Sequence, residues 1–416
     1  MIETAIKTGF KQTELGLIPS DWEVNELGKL TTLLTNGFVG KSKEHYVDSN
    51  DGVLYIQGYN VEENSFNFSG IKRVSQEFHK LHSKSFLLEG DLLTIQTGEI
   101  GLTTIVPKEL EGSNCHALII SRFIKGKFEP KYFSYYFNSN YGRKRLRDIE
   151  IGTTMKHLNV SDMRLWLVPY PPSKKEQTLI ATALSDADAF ITSLEKLIAK
   201  KRMIKQGAMQ KLLAPKKGWV VKKLGEICQI FKGRSLSKSM LNENGKYECV
   251  LYGELFTTYK EVINEVVSHT NLLEGVPSKF GDILFPGSTT TTGIDLAKAS
   301  ALMKENVQLG GDVIIVRKKD FEYNPIFLSY FLNQERKQEI ASTTKGITIH
   351  HLYGKDLFDI EVSFPQDKEQ NHIATILGDM DLEIVGLEKK LEKQRMIKAG
   401  MMQQLLTGKI RIYGNN

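Results

Sequence analysis

The stretch KEQTLIATALSDADAFITSLEKLIAKKRMIKQGAMQKLL, residues 175–213, returns as KEQNHIATILGDMDLEIVGLEKKLEKQRMIKAGMMQQLL at residues 368–406. The copies are offset by 193 residues and agree at roughly 23 of 39 positions, far beyond chance for unrelated segments. Within the first copy Ile180, Leu184, Ala187, Ile191, Leu194 and Ile198 recur at alternating intervals of four and three. Ile373, Leu377, Met380, Ile384, Leu387 and Leu391 keep the same rhythm in the second. Such spacing is the apolar seam of a coiled coil, so each copy reads as one long helix of ~60 Å at ~1.5 Å per residue. Two helices with the same seam in one chain most simply pack on each other. An antiparallel pair would carry whatever precedes each helix to opposite ends. Ser173 with Glu176 forms a capping box behind Pro172, and Pro215 closes the first helix. Asp367 is the expected cap of the second, with Gln370 three residues on and Gly408 at its end. Gly207 and Gly400 fall at the same place in both and suggest a bend.

The repetition extends outward from the helices. Gly90-Asp91-Leu92-Leu93 recurs as Gly281-Asp282-Ile283-Leu284, and Ser134-Tyr135-Tyr136 with Asn138 as Ser329-Tyr330-Phe331 with Asn333. Trp22, Leu27, Gly28 and Leu30 recur as Trp219, Leu224, Gly225 and Ile227. The chain is therefore one unit written twice, with a well-kept helical end and a divergent body. The bodies contain short β-rich runs, such as Val53–Ile56 and Asp91–Ile95, punctuated by Gly, Asn, Asp and Ser. Each also holds one helical stretch, near Tyr132–Asp148 and Ile326–Ile340. The fold class is α+β, divided as an N-terminal arm at 1–19, a first domain at 20–171 and a central helix at 172–215. A second domain at 216–365 and a C-terminal helix with its tail at 366–416 complete it.

Bulk properties bound the function. At 416 residues the chain exceeds the ~250–300 at which single cores stop growing, which agrees with two domains. The formal charge of +6 permits nucleic-acid binding without demanding it. The three cysteines, Cys115, Cys228 and Cys249, lie far apart, which suggests a reducing compartment and neither a disulfide framework nor a zinc site. Residues 1–11 lack a signal pattern, and no run approaches the ~18 apolar residues that cross a bilayer, so the expected location is the cytoplasm, away from membranes.

Catalytic constellations are missing. Gly40-Lys41-Ser42 resembles the end of a P-loop, but Thr35 stands where that motif needs its first glycine. Tyr170-Pro171-Pro172-Ser173 lacks the acidic or amide residue of an amino-methyltransferase signature and reads as a hinge. No Gly-x-Gly-x-x-Gly and no Pro-Asp dipeptide occur. The adjacent His350 and His351 would point to opposite faces of a strand, which disfavours a shared metal. Asp186 and Asp188, two apart on a helix, do not share a face and are expected to be solvated. No catalytic residue, metal site or bound cofactor is expected in this chain.

What remains is a binding signature. Arg143, Lys144, Arg145 and Arg147 follow an aromatic-rich stretch and suit phosphate contact, although such a run alone is equally an ordinary solvated helix face. Three polar, glycine-bearing loops occupy like positions in both copies. The first carries Lys41, Lys43 and His45 after Gly37, mirrored by Arg234, Ser235 and Lys238 after Gly233. The second carries Thr97 and Glu99, mirrored by Ser288, Thr289 and Thr290. The third carries Thr154, Lys156 and His157, mirrored by Lys345 and His350. Glycine lets backbone approach a duplex closely, and hydroxyl, amide, Lys and Arg groups read base edges. Ordinary turn chemistry explains any one such loop; the paired placement is what singles them out. Between Lys174 and Lys217 ten basic residues face four acidic ones. That surplus equals the net charge of the chain and suits DNA, acidic helices of a partner, or an ordinary solvated helix face.

In these features the sequence resembles the specificity subunit of type I restriction–modification enzymes. The marks are Trp22 with Leu27-Gly28, Gly90-Asp91-Leu92-Leu93, Lys175-Glu176-Gln177 with Ile180-Ala181, and the closing run Met402–Ile410. Lys11–Pro19 is similar to that family's N-terminal arm. The resemblance implies two target recognition domains, each reading one half of a bipartite, asymmetric site in double-stranded DNA. It implies that the repeated helices pair antiparallel, space the half-sites, and dock two methyltransferase subunits that bind S-adenosylmethionine. Restriction and translocation subunits would add ATP- and Mg-dependent chemistry. Half-sites one turn apart lie ~34–36 Å apart, within the span of a ~60 Å helix. The alternative is an orphan or diverged copy that binds DNA, or blocks an enzyme, without modification partners.

Overall fold

A computed structural model describes residues 9–48, 50–152 and 156–412. The chain divides into two compact units: residues up to Leu194 with those from Lys390 onward, and Glu195–Lys389. Both cuts fall inside the long helices, Lys174–Leu213 and Asp367–Leu405. Each unit thus owns the start of one helix and the end of the other.

Local chemistry explains most of the helix boundaries. Ser173 Oγ accepts from the Glu176 N–H at 3.4 Å, and the Ser173 carbonyl accepts from Gln177 at 3.1 Å. The central helix stops at Leu213, ahead of Pro215, and the C-terminal helix at Leu405. Beyond it Gly408 takes φ +68°, and a Cβ there would lie 2.3 Å from Pro19. Both helices stay helical through Gly207 and Gly400, since one interior glycine costs only ~1 kcal/mol against flanking packing. One expectation fails. Asp367 is the first helical residue and not the cap; the Gln366 carbonyl receives the first bonds, from Glu369 and Gln370 at 2.8 and 3.0 Å.

The first unit is built on an antiparallel sheet in the order Thr103–Ile105, Leu92–Ile95, Leu118–Phe123, Thr31–Asn36. A smaller sheet joins Asn114–Cys115, Val53–Ile56 and Lys72–Val74. Where one helix was expected near Tyr132–Asp148 there are two, Pro130–Asn138 and Asn140–Arg147. Ser139 is extended at the junction, and its hydroxyl caps the second helix through the Gly142 N–H at 3.0 Å. The second unit repeats the plan. Its main sheet runs Cys228–Lys232, Val313–Lys318, Asp282–Pro286, Ser300–Leu302, then Val262–Ile263 at the edge. Ile326–Ile340 likewise divides into Pro325–Glu335 and Lys337–Thr343 around Arg336. Among the described residues no helix is long and apolar enough to cross a membrane.

The sequence marks that repeat prove to be bonded scaffold. Asp91 receives Arg122 through Nε and Nη2, both at 2.7 Å, and Asp282 receives Arg317 likewise at 2.9 and 2.7 Å. Each pair ties adjacent strands of the main sheet. Gln177 is buried, accepts from the Glu129 N–H at 2.8 Å and donates to the Pro171 carbonyl at 2.8 Å. Gln370 does the same with Asn324 and Pro365, both at 2.9 Å. This amide fastens the start of each long helix to the domain it follows. Gly28 and Gly225 sit where a Cβ would meet Arg164 at 2.5 Å and Phe358 at 3.1 Å, so the Leu-Gly step marks a close chain crossing.

Within each unit the two helix segments run antiparallel. In the first, Glu176 pairs with Arg411 at 2.6 Å and Asp188 with Lys398 at 2.6 Å. In the second, Glu369 pairs with Lys216 at 3.0 Å and Asp381 with Lys205 at 2.6 Å. The domain joins each network: Tyr135 donates to Asp188 at 2.8 Å, and Tyr330 donates to Asp381. Asp188, expected to be solvated, is therefore engaged, while Asp186 is exposed. Along the seam Ile180, Leu184, Ala187, Leu194, Ile198, Ile373, Leu377 and Ile384 are buried; Ile191, Met380, Leu387 and Leu391 are partly so. Its first turns do more than pair helices. Ile180 and Leu184 lie in the first unit's core with Tyr132 and Leu405, and Ile373 and Leu377 in the second unit's with Phe327 and Leu213.

Candidate nucleic-acid interface

The three candidate loops converge, in each unit, on one end of the main sheet. In the first unit the strand Thr31–Asn36 ends at the Gly37 loop, whose N–H donates to the Leu118 carbonyl at 2.8 Å. Leu92–Ile95 ends beside it, and Thr97 bridges to His157, bringing the second and third loops into contact. In the second unit the Gly233 N–H donates to Val313 at 2.8 Å. Ser288–Thr289 pairs there as a short strand with His350–His351. Two turns hold the same left-handed backbone immediately before an interior strand of the main sheet, Ala117 at φ +47° and Asp312 at φ +59°.

The conformation repeats while the chemistry does not. Around Ala117 the first unit gathers rings: Phe38 lies 4.5 Å from His82 and 6.3 Å from His116, and His45 lies 4.6 Å from Phe78. His116 Nδ1 bonds the Tyr55 hydroxyl at 3.0 Å, and burial lowers the His116 pKa below its ordinary value. Around Asp312 the second unit is ionic: Lys232 pairs with its carboxylate and Ser288 donates to it at 3.1 Å. Burial pushes the Asp312 carboxyl up, but Lys232, with Ser288 and His351, outweighs it, so the group stays below its ordinary value. Next to it, the hydroxyls of Thr291 and Thr292 donate to Asp295 at 2.6 and 2.8 Å, holding that carboxyl low and closing the turn.

Lys41, Lys43, His45, Thr97 and Glu99 are exposed, as are Arg234, Ser235, Lys238, Thr290 and Lys345. Lys156 is exposed and pairs with Glu150 at 3.4 Å, and Lys345 pairs with Asp356 at 3.5 Å. His157 and His350 are partly buried on their bridges. Thr154, with Thr153 and Met155, lies outside the described residues. Three candidates face inward. Ser288 and Thr289 are buried, because their short strand is covered by His350–His351. Arg145 donates to the Leu167 carbonyl at 2.7 Å and to Tyr136 at 3.1 Å, with its guanidinium 5.6 Å from the Trp166 ring centre. Arg143 is partly buried, which lowers its pKa, while Lys144 and Arg147 are exposed. The basic surplus of the central helix is also partly spent internally: Lys201, Arg202, Lys205 and Lys216 pair with Glu383, Glu388, Asp381 and Glu369.

The family described as type I restriction modification DNA specificity domain matches twice, at residues 19–205 and 216–394. The chain belongs to this family. It is a type I specificity subunit with two target recognition domains, one in each unit. Similar curated proteins come from Methanocaldococcus jannaschii. The putative type I restriction enzyme MjaX specificity subunit is 26% identical, over 97% of this chain and 97% of its own. The MjaVIII specificity subunit is 25% identical, over 98% and 97%. Solved structures share the fold. The HsdS subunit from Thermoanaerobacter tengcongensis aligns with TM-score 0.51 at 18% identity, over 94% of this chain and 98% of that one. The S subunit from M. genitalium aligns with TM-score 0.58 at 18% identity, over 92% and 96%.

In this specificity subunit, several residues at the converging loops escaped sequence reasoning: Phe38, His82 and His116 in one domain, Lys232 and Asp312 in the other. Two buried acceptors ending strands of the first sheet, Asn36 Oδ1 and Gln96 Oε1, also lack a hydrogen-bond partner. A signal existed for Asp312. Aligning the repeated strands Leu118–Phe123 and Val313–Lys318 sets Ala117 against it, an unlike pair ahead of a kept strand.

Proposed function

We propose that this chain reads an asymmetric, bipartite site in double-stranded DNA, each recognition domain contacting one half-site through the loops at its sheet end. The observation that carries the reading is the contrast within the repeat. Scaffold bonds recur residue for residue, while the loops converging beside Ala117 and Asp312 share backbone form and differ in chemistry. Two domains of one fold with unlike loops suit two unlike half-sites. Exposed Lys41, Lys43, Arg234, Lys238 and Lys345 supply phosphate contacts, and the hydroxyl and imidazole groups among them supply base contacts.

The chain itself performs no chemistry in this reading. It docks two methyltransferase subunits, which hold S-adenosylmethionine, and restriction–translocation subunits, which use ATP and Mg, in the cytoplasm. The names of the curated relatives place those proteins in type I restriction enzymes, which supports such partners here. Mapping methylated sites in cells that carry the chain with its partners tests the proposal. A bipartite motif is expected, and exchanging 20–170 for the first domain of another family member should change one half of it. A swap that altered both halves, or neither, would refute the one-domain, one-half-site assignment.

A further inference from the structure

A cavity of about 570 Å³ lies in the second unit between its helix segments and its domain body. Its wall carries Arg202, Lys205, Lys260, Lys298 and Lys337 against Glu261 and Asp381. Lys205 is held by Asp381 at 2.6 Å and Glu261 at 3.6 Å, and Arg202 by Glu388 at 2.6 Å. The Lys205 pairings recur in the first unit, where Lys398 meets Asp188 and Glu63, and belong to the scaffold.

Two of the other three cations, Lys260 and Lys298, are additions. Asn333 and Asn138 each accept a backbone N–H, from Ala299 and Thr103, which sets Lys298 in the place of Leu102. Matching Glu261 to Glu63 sets Lys260 in the place of Glu62. The fold therefore does not require these charges. Lys298 is half-buried and donates to a neutral acceptor, the Tyr259 carbonyl, at 2.7 Å. Burial lowers its pKa, Glu261 opposes that, and Lys337 and Lys260 add to the lowering. Lys260 lies 3.4 Å from Glu388, a carboxylate Arg202 already holds. Like charges gathered on one wall repel until an anion enters. Lys337 opens the helix Lys337–Thr343, which packs against Gly293–Leu296, the turn that follows Thr290–Thr292 and carries Asp295, so the cavity adjoins the reading loops of its own domain.

We infer that Lys260, Lys298 and Lys337 form a phosphodiester-binding site that grips the DNA backbone beside the half-site read by the second domain. The inference rests on the DNA-reading function proposed above. The grip is sequence-independent and belongs to one domain only, because Glu62 and Leu102 occupy two of its positions in the other.

Binding of the full chain to two duplexes, one with the mapped site and one scrambled, across a salt series tests it. Changing Lys260, Lys298 and Lys337 together to Gln should lower the slope of log K against log salt by about 0.9 for each phosphate no longer neutralised, on both duplexes. Preference for the mapped site should persist, and the Lys→Arg triple should keep the slope. If the Gln triple does not fold, K260Q alone, at an exposed position, should lower the slope by about 0.9. A folded variant with unchanged slope overturns the inference. So does a fall no larger than that from neutralising the exposed Lys174, Lys175 and Lys217, or release of a protein partner with the slope intact. If the wild-type chain does not prefer its mapped site, the reading fails, yet the scrambled duplex still decides the cavity.

Discussion

Replacing Arg122 with methionine should loosen the first unit's main sheet by about 3 kcal/mol, because it strands a buried carboxylate. The Asp91 side chain is 1% exposed and the Arg122 side chain 28% exposed. Without the guanidinium, Asp91 keeps only the Leu88 N–H at 2.8 Å, and the Phe86 carbonyl loses its own bond from Arg122 at 3.1 Å. Removing one partner of a buried pair costs roughly 3–5 kcal/mol. The partial exposure of Arg122 argues for the lower end. Methionine retains most of the apolar stem, so the loss reports charge and hydrogen bonding more than packing. Hydrogen exchange followed by mass spectrometry reads the effect locally. Amides of Leu92–Ile95 and Leu118–Phe123 should exchange about two orders of magnitude faster, at ~1.4 kcal/mol per tenfold. Arg317→Met should do the same to Asp282–Pro286 and Val313–Lys318 in the second unit. Adding Asp91→Asn to Arg122→Met should recover part of the loss, since the neutral amide no longer needs a cation. Exchange within threefold of wild type, or strictly additive costs in the double variant, would refute the claim that the pair acts as a buried unit.

Gln177→Ala leaves the Glu129 N–H and the Pro171 carbonyl unpaired. At ~1–3 kcal/mol for each buried group, calorimetry should show the unfolding midpoint lowered by several degrees. Asp21 sits below its ordinary value because Arg411 hydrogen-bonds its carboxylate. A lowered folded pKa gives stability that is present above the unfolded value of 3.8 and lost as pH falls through the lower folded value. The urea midpoint should therefore fall in that acid window, and Arg411→Met should flatten this part of the profile. All three cysteines are buried, with Cys228 and Cys249 pushed up to about 11 and Cys115 pushed well above its ordinary value by burial. Alkylation at mildly alkaline pH should leave the native chain unlabelled by mass and modify all three thiols in urea; a labelled native thiol contradicts the core assignment.

The paired helices were legible because their determinants are local and periodic: a three-four apolar rhythm, a Ser173 cap, a proline and a glycine at the ends. Helix splitting was not. The Tyr132–Asp148 stretch carries helical chemistry on both sides of Ser139, and only the Asn138 bonds to Thr103 and the Ser139 cap decide the break. The solvated reading of Asp188 failed for a related reason. Its partners, Tyr135 and Lys398, are brought to it by the fold and not by helix spacing. A cation beside aromatics, as at Arg145, suits phosphate and suits an internal stacking site equally well. Here the Leu167 carbonyl and the Trp166 ring claim it.

Asp312 and Ala117 bear on how one fold can read unlike targets. A left-handed backbone is unusual for a residue with a side chain, yet both turns adopt it, and each precedes a buried interior strand. The turn is set by its surroundings. The Ala117 N–H donates to Phe38, and the Asp312 carbonyl accepts from Gly287. These are main-chain bonds, indifferent to the side chain at the apex. Asp91–Arg122 and Gln177 are different, for there the side chain itself is the bond, and the repeat retains it in both copies. Positions whose structural task falls to the backbone are thus free to carry a ring cluster in one domain and a Lys–Asp–Ser cluster in the other. The same division predicts where specificity can be exchanged at little cost in stability: around residues 117 and 312, and not at 91, 122, 282 or 317.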